Sequence, residues 1–171
     1  DKEKQDGTIF CCPQRFEKIN LQTILVWKNI INDKNTKKFY LLNGCYSDRY
    51  IKERLLRKFK ENNFDLKKIE FVYFNDRYSY LEFFKKVDIA LDTFPYSGGT
   101  TAFELSYMLI PNISFKKNHF ISNSSSSVYA NLGLASCISS SEDEYVHKAL
   151  EISKNKTLYT EIKKTLIDKV H

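Results

Sequence analysis

The sequence predicts an α/β domain with a doubly wound parallel sheet, and three observations carry that expectation. Short apolar runs alternate with longer stretches of helical spacing, at least three times in succession. The runs end at turn-forming residues such as Pro13, Asn43 and the Thr93 to Gly99 segment. At 171 residues, with 42% hydrophobic and 15% aromatic content, the chain can bury one sizeable core.

In order, residues 1–7 are polar and read as a linker, and Thr8 to Cys12 is an apolar run stopped by Pro13, as a buried strand would be. From Asn20, placed to cap a first turn, Leu21, Ile24, Trp27 and Ile31 follow helical spacing on one expected apolar face. The unit then recurs: a strand at Phe39 to Asn43 with a helix near Asp48 to Asn62, then a strand at Ile69 to Phe74 with a helix near Tyr78 to Lys86. Next come a strand at Asp88 to Asp92, a loop from Thr93 to Gly99, a helix near Thr100 to Leu109 and a strand after Pro111. Ala135 to Ile138 is read as a last strand, ahead of helices at Glu142 to Ser153 and Thr157 to Val170. Ligands of such sheets sit outside the carboxyl ends of the strands, which singles out loops 13–19, 75–78 and 93–100.

Composition narrows the chemistry. A net charge of +6 suits an anionic partner, but the lysines are spread along the chain, so nucleic acid is not favoured. Cys11, Cys12, Cys45 and Cys137 do not follow a metal or redox spacing and point to a reducing compartment. His119, His147 and His171 fall in no metal-binding pair, so no metal site is expected. No apolar run reaches the ~18 residues that cross a bilayer, and the charged start is unlike a secretory signal. A soluble, cytoplasmic protein without a membrane partner is the expectation.

The richest stretch runs from Asp92 to Glu104, where a strand ends, a loop turns on Gly98 and Gly99, and a helix begins at Thr100. Adjacent glycines let backbone approach a ligand, and the N–H groups and hydroxyls of Thr100 and Thr101 suit a diphosphate. Glu104, about one turn on, is placed to accept hydrogen bonds from ribose hydroxyls. A purely structural alternative stands beside this: Thr101 and Glu104 have the spacing of a capping box.

Val87-Asp-Ile-Ala-Leu-Asp-Thr-Phe-Pro-Tyr-Ser-Gly-Gly-Thr-Thr101 resembles, nearly word for word, the signature of the O-linked N-acetylglucosamine transferase family, including its bacterial members. Phe10-Cys-Cys-Pro-Gln-Arg-Phe-Glu-Lys-Ile19 is similar to that family's first strand and loop, and Leu132-Gly-Leu134 with Glu144-Tyr145 to a later segment. The resemblance covers nearly the whole chain. It implies the Rossmann-like C-terminal domain of a GT-B glycosyltransferase, over residues 8–171, that binds a nucleotide sugar. Lys18 matches the lysine at the diphosphate and is the implied catalytic residue; Thr100 and Thr101 match the threonine pair at the phosphates.

Glu104 stands where an aspartate usually holds the ribose, Arg77 where a lysine lies near ribose and base, and Tyr80 where a ring can stack on the base; Asn75 is a further base contact. For Asn75, Arg77 and Tyr80, ordinary roles as a loop, surface and core-covering residue are equal alternatives. Gly99 replaces a histidine of animal members, as is usual for bacterial ones. Arg15 stands at a Gln or Asn position, leaving the sugar open, and Asn123 replaces an arginine within a serine run that falls on a loop and the first turn of a helix.

The implied reaction is metal-independent attack by a Ser or Thr hydroxyl of a protein acceptor on UDP-N-acetylglucosamine, with inversion and no cofactor beyond the UDP-sugar donor. The family's N-terminal catalytic domain and helical repeats have no counterpart here, so the isolated chain is expected to be inactive. GDP-fucose or UDP-glucose as donor, and a non-catalytic nucleotide-binding or interaction module, are the alternatives.

Overall fold

The computed structural model describes residues 7–170. Six strands, β1 (Thr8–Cys12), β2 (Thr36–Leu42), β3 (Ile69–Val72), β4 (Ile89–Leu91), β5 (Asn112–Phe115) and β6 (Ile138–Ser139), form one parallel sheet in the order β3-β2-β1-β4-β5-β6. The helices are α1 (Leu21–Ile31), α2 (Arg49–Glu61), α3 (Arg77–Phe83), α4 (Thr100–Tyr107), α5 (Ser124–Asn131), α6 (Glu142–Lys154) and α7 (Lys156–Val170). This is the doubly wound α/β architecture that the alternation predicts, with the strand order of Rossmann folds. Residues 1–6 of the expected linker, and His171, lie outside the described residues.

The two-residue period of the strands explains why the sheet is covered on both sides. Phe10 and Cys12 of β1, Phe39 and Leu41 of β2, and Ile89 and Leu91 of β4 enter one core with Trp27, Tyr145 and Leu166. Their alternates Cys11, Leu42 and Ala90 enter a second core with Phe84, Leu105 and Ile110. All of these strand residues are fully buried, as parallel strands between two helical layers must be.

Local sequence sets the helix starts. Asn20 caps α1 by accepting the Thr23 N–H at 2.9 Å, as its position predicts. Asp48, Asp76 and Ser141 cap α2, α3 and α6 in the same way. The expected apolar face of α1 needs one correction: Leu21 is 56% exposed, and the buried set is Thr23, Ile24, Val26, Trp27, Ile30 and Ile31. At ~100° per residue, Leu21 and Leu25 fall on the opposite side of that face.

Several boundaries also move. Strand β2 starts at Thr36, ahead of the expected Phe39, because Thr8 pairs with Thr36 and the exposed Lys37 and half-buried Lys38 belong to the strand. Strand β3 ends at Val72, and β4 is confined to Ile89–Leu91. Helix α3 ends at Phe83 and continues as a 3-10 turn over Phe84–Lys86, while α4 ends at Tyr107. The last strand is Ile138–Ser139, since Ala135–Cys137 forms a 3-10 turn and only the following pair meets Ser114 and Phe115 of β5.

Tyr145 ties the core to the site end of the sheet. Its hydroxyl donates to the Asp92 carbonyl at 2.8 Å and accepts from Trp27 Nε1 at 3.3 Å, all three residues being buried. Tyr145→Phe should therefore lower the urea unfolding free energy by ~1–3 kcal/mol at unchanged m-value, because it strands a buried donor and a buried acceptor. A change within ~0.3 kcal/mol, the scatter of independent sites, would contradict this role.

Candidate functional site

The chain runs from β1 outward to β2 and β3, then returns to the other side of β1 as β4. The loops after β1 and β4 are thereby brought together at the switch point of the sheet, where open α/β sheets hold their ligands. Asp92, the first residue past β4, sits between them with its carboxylate buried. Its Oδ1 accepts the Thr93 N–H at 2.9 Å, the Gly98 N–H at 3.0 Å and Gln14 Nε2 at 3.2 Å. Burial pushes the Asp92 carboxyl up to about 7, while the Gly98 and Thr93 N–H groups pull it down.

Gln14 is 4% exposed and passes the contact onward: its Oε1 accepts from Lys18 Nζ at 3.0 Å. Lys18 also donates to the Ser97 carbonyl at 3.1 Å and lies 4.7 Å above the centre of the Tyr96 ring. Burial lowers the Lys18 pKa, and the nearby Asp92 charge raises it. Gly98 has a specific reason to lack a side chain, since a Cβ there would lie 2.0 Å from Gln14 Nε2. Gly99 faces open space, with Ser124 Cβ 4.0 Å from an added Cβ. Of the two glycines read from the sequence as giving a ligand access, Gly98 instead makes room for Gln14.

Helix α4 begins at Thr100 with Gly99 as its N-cap and no side chain bonded to its first turn. The capping-box alternative for Thr101 and Glu104 is thus not what forms. Glu104 turns sideways, accepting from Arg77 Nη1 at 2.7 Å and from the Tyr80 hydroxyl at 3.2 Å. The Thr100 and Thr101 N–H groups therefore keep their partial positive charge available to an anion, while the Ala102 N–H donates to the Gly99 carbonyl at 2.9 Å.

Two cavities meet at this helix start. One, of about 430 Å³, is lined by Asn75, Arg77, Tyr80, Thr101 and Glu104, with Pro13, Asn43 and Gly44 opposite. The other, of about 360 Å³, is lined by Lys18, Gly99, Thr100 and Thr101, with Tyr96 and Phe120 at its rim and Ser124 of α5 at its side. Thr101 lines both. Tyr80 shows its two aspects together: its ring packs edge-on against Phe84 at 5.0 Å, and its hydroxyl reaches the Glu104 carboxylate. Burial and the Glu104 charge push its phenol well above the usual range.

The sequence-predicted residues thus fall into two groups. Lys18, Gly99, Thr100 and Thr101 converge on one cavity, and Asn75, Arg77, Tyr80 and Glu104 on the other. Gly98 is buried behind them, and Arg15 lines neither cavity: it is exposed and pairs with Glu17 at 3.4 Å. Asn123 accepts the Lys117 N–H at 3.1 Å, and α5 starts at Ser124, so the serine run does form a turn and a helix start. Sequence reading missed Asp92 and Gln14 as site residues. The available signal was a carboxylate directly after an apolar strand and ahead of a glycine pair. Among the described residues, no group of His, Cys, Asp or Glu could hold a metal ion, and no helix is long and apolar enough to cross a membrane.

Comparison with known proteins bears on the family and the fold. Residues 2–171 match the model described as Glycosyl transferase family 41. A protein of Arabidopsis thaliana named "Probable UDP-N-acetylglucosamine--peptide N-acetylglucosaminyltransferase SPINDLY" is 25% identical over 154 residues, which are 88% of this chain and 17% of that protein. Its Hordeum vulgare namesake is 33% identical over 89 residues, 52% of this chain and 9% of that one. Among solved structures, an O-GlcNAc transferase variant from Thermobaculum terrenum superposes with a TM-score of 0.91 at 23% identity, covering 96% of this chain and 32% of that one. S. aureus TarM, in complex with fondaparinux, alpha-GlcNAc-glycerol and UDP, superposes with a TM-score of 0.65 at 11% identity, covering 100% and 34%. The two solved structures share the fold. The chain spans less than a fifth of the length of the curated relatives it matches.

The two glycines should behave differently on substitution. Gly98→Ala drives a methyl group into Gln14 and should cost ~1–3 kcal/mol of stability. Gly99→Ala, in open space at an N-cap, should cost about 1 kcal/mol or less. Chemical denaturation of the two variants checks the order, and equal losses would contradict the close approach of Gln14 to Gly98.

Proposed function

The chain belongs to glycosyl transferase family 41, and from that premise we propose that it is the donor-binding half of an inverting transferase that moves N-acetylglucosamine from UDP-N-acetylglucosamine to Ser or Thr of a protein acceptor. The observation that carries this reading is the pair of cavities joined at Thr101. One offers a carboxylate, a phenol and an amide suited to a nucleoside. The other offers one ammonium and an uncapped helix start suited to a diphosphate.

In this reading Glu104 accepts hydrogen bonds from the ribose hydroxyls in exchange for its contact with Arg77, whose side chain is 67% exposed and can swing outward. Asn75 contacts the base, and the Tyr80 ring edge borders it. The diphosphate lies between Lys18 and the first turn of α4, where the Thr100 and Thr101 hydroxyls add donors. As the acceptor oxygen attacks the anomeric carbon from the far side, the sugar–phosphate bond breaks and negative charge grows on UDP. Lys18 and the α4 N–H groups are already oriented towards that charge, which is the condition for electrostatic stabilisation of a leaving group.

The acceptor face and any general base belong, in this proposal, to an N-terminal catalytic domain that this chain requires as its partner, so the chain alone binds donor without turnover. The four cysteines are free, three of them buried, which supports a reducing, cytoplasmic setting.

Calorimetric titration of the chain with UDP, UDP-N-acetylglucosamine and GDP tests the donor. UDP and its sugar should bind saturably and GDP at least ~10-fold more weakly, a difference of ~1.4 kcal/mol. Lys18→Ala should weaken UDP binding by roughly 10–100-fold while leaving uridine unaffected, because the loss is a charge-assisted contact to phosphate. Equal UDP binding by the wild type and Lys18→Ala, or no UDP binding at millimolar concentration, would overturn the proposal.

A further inference from the structure

We propose that Gln14 and Asp92 are positioning residues that hold the Lys18 ammonium towards the donor cavity through a polarised chain, Asp92 carboxylate to Gln14 amide to Lys18. The inference rests on the donor-site reading above, in which Lys18 meets the diphosphate. Its physical basis is the direction of each hydrogen bond.

Asp92 Oδ1 already accepts the Thr93 and Gly98 N–H groups, so the Gln14 edge that faces it, at 3.2 Å, must be the NH2 group. The amide has one other edge, the carbonyl Oε1, and that edge faces Lys18 Nζ at 3.0 Å. An ammonium can only donate, so this orientation of the amide is the one that binds it. Were Gln14 reversed, NH2 would confront NH3+ and Lys18 would lose the contact. Asp92 therefore selects the amide orientation that Lys18 needs, from the far side of a side chain that solvent barely reaches.

Two further features fit such a device. Gln14 is locked in place, since its amide occupies the space that a Cβ on Gly98 would fill. Both acceptors of Lys18, the Gln14 amide oxygen and the Ser97 carbonyl, are neutral, so they fix the direction of the ammonium without cancelling its charge. Of its three protons, two are thus used and one remains for a ligand. A carboxylate in direct contact would hold Lys18 equally well but would compete with phosphate for it.

Interruption of the chain tests the proposal. Asp92→Ala removes the acceptor that orients Gln14, and Gln14→Leu removes the relay at similar volume. Asp92→Asn is the control: its Oδ1 stays turned to the Thr93 and Gly98 N–H groups and still accepts from Gln14. Two readouts are taken at pH 8 on variants shown by circular dichroism to be folded. The first, without nucleotide, is the Lys18 Nζ–H correlation in a 15N NMR spectrum, protected from water exchange when the ammonium is held. The second is UDP affinity by calorimetry.

Asp92→Ala and Gln14→Leu should each abolish the protected ammonium signal and weaken UDP binding roughly tenfold, as expected for one charge-assisted hydrogen bond. Asp92→Asn should keep the signal and bind UDP within about threefold of wild type. Wild-type signal and affinity in folded Asp92→Ala and Gln14→Leu would overturn the proposal, as would a folded Asp92→Asn that keeps neither. If the ammonium signal follows the variants as described but the wild type binds no UDP, the positioning chain stands and the donor-site reading falls.

Discussion

The structure at the switch-point end of the sheet depends on how one buried carboxylate is satisfied. A carboxylate removed from water is costly unless hydrogen bonds replace its hydration, and Asp92 obtains them from two loops and from Ser125 of α5. Thr93 and Gly98 supply N–H groups from the loop after β4, and Gln14 supplies its amide from the loop after β1. The same residue's carbonyl takes the Tyr145 hydroxyl from α6. Two loops and two helices are thereby referred to one point at the end of the central strands. Phe94, whose carbonyl accepts from Asn20 and Thr23 of the α1 start, pins the loop's other side.

From that point the chemistry of the site follows in two directions. Towards β1, Gln14 hands the contact to Lys18, whose ammonium reaches the smaller cavity with its charge intact. Towards α4, the loop delivers Gly99 as a cap without a side chain, which leaves the first turn of the helix open. A cation and a helix N-terminus on one cavity are complementary to a diphosphate. Beyond Thr101, in the second cavity, the polar groups change to a carboxylate, a phenol and an amide. The site is graded from phosphate-like to nucleoside-like demands along a single helix start.

Much of this was legible from sequence because it is local. Apolar runs such as Thr8 to Cys12 and Ile89 to Leu91 announce buried strands without reference to their partners, and Asn20 announces a helix start three residues before its bonded N–H. The residues that misled do so for identifiable reasons. Lys37 and Lys38 disguised the beginning of β2, where pairing with β1 decides, and Leu21 matched a helical period while lying off the buried face.

The candidate site divides in the same way. Lys18, Thr100 and Thr101 sit on loop and helix ends that strand order alone brings to the switch point. Whether Glu104 would cap its helix could not be read locally, since the spacing to Thr101 is that of a capping box; Arg77 and Tyr80, 27 and 24 residues away, decide it. Gln14 and Asp92 are 78 residues apart, and no periodicity in a loop distinguishes the inward Gln14 from the outward Arg15.

The central claim is that one nucleotide spans both cavities across Thr101, and amide chemical-shift mapping of the 15N-labelled chain with uridine and then UDP tests it most directly. Uridine should move the signals of Asn75, Arg77 and Glu104, and UDP should add Gly99, Thr100 and Thr101. Shifts scattered over the exposed lysines, or identical for the two ligands, would contradict it.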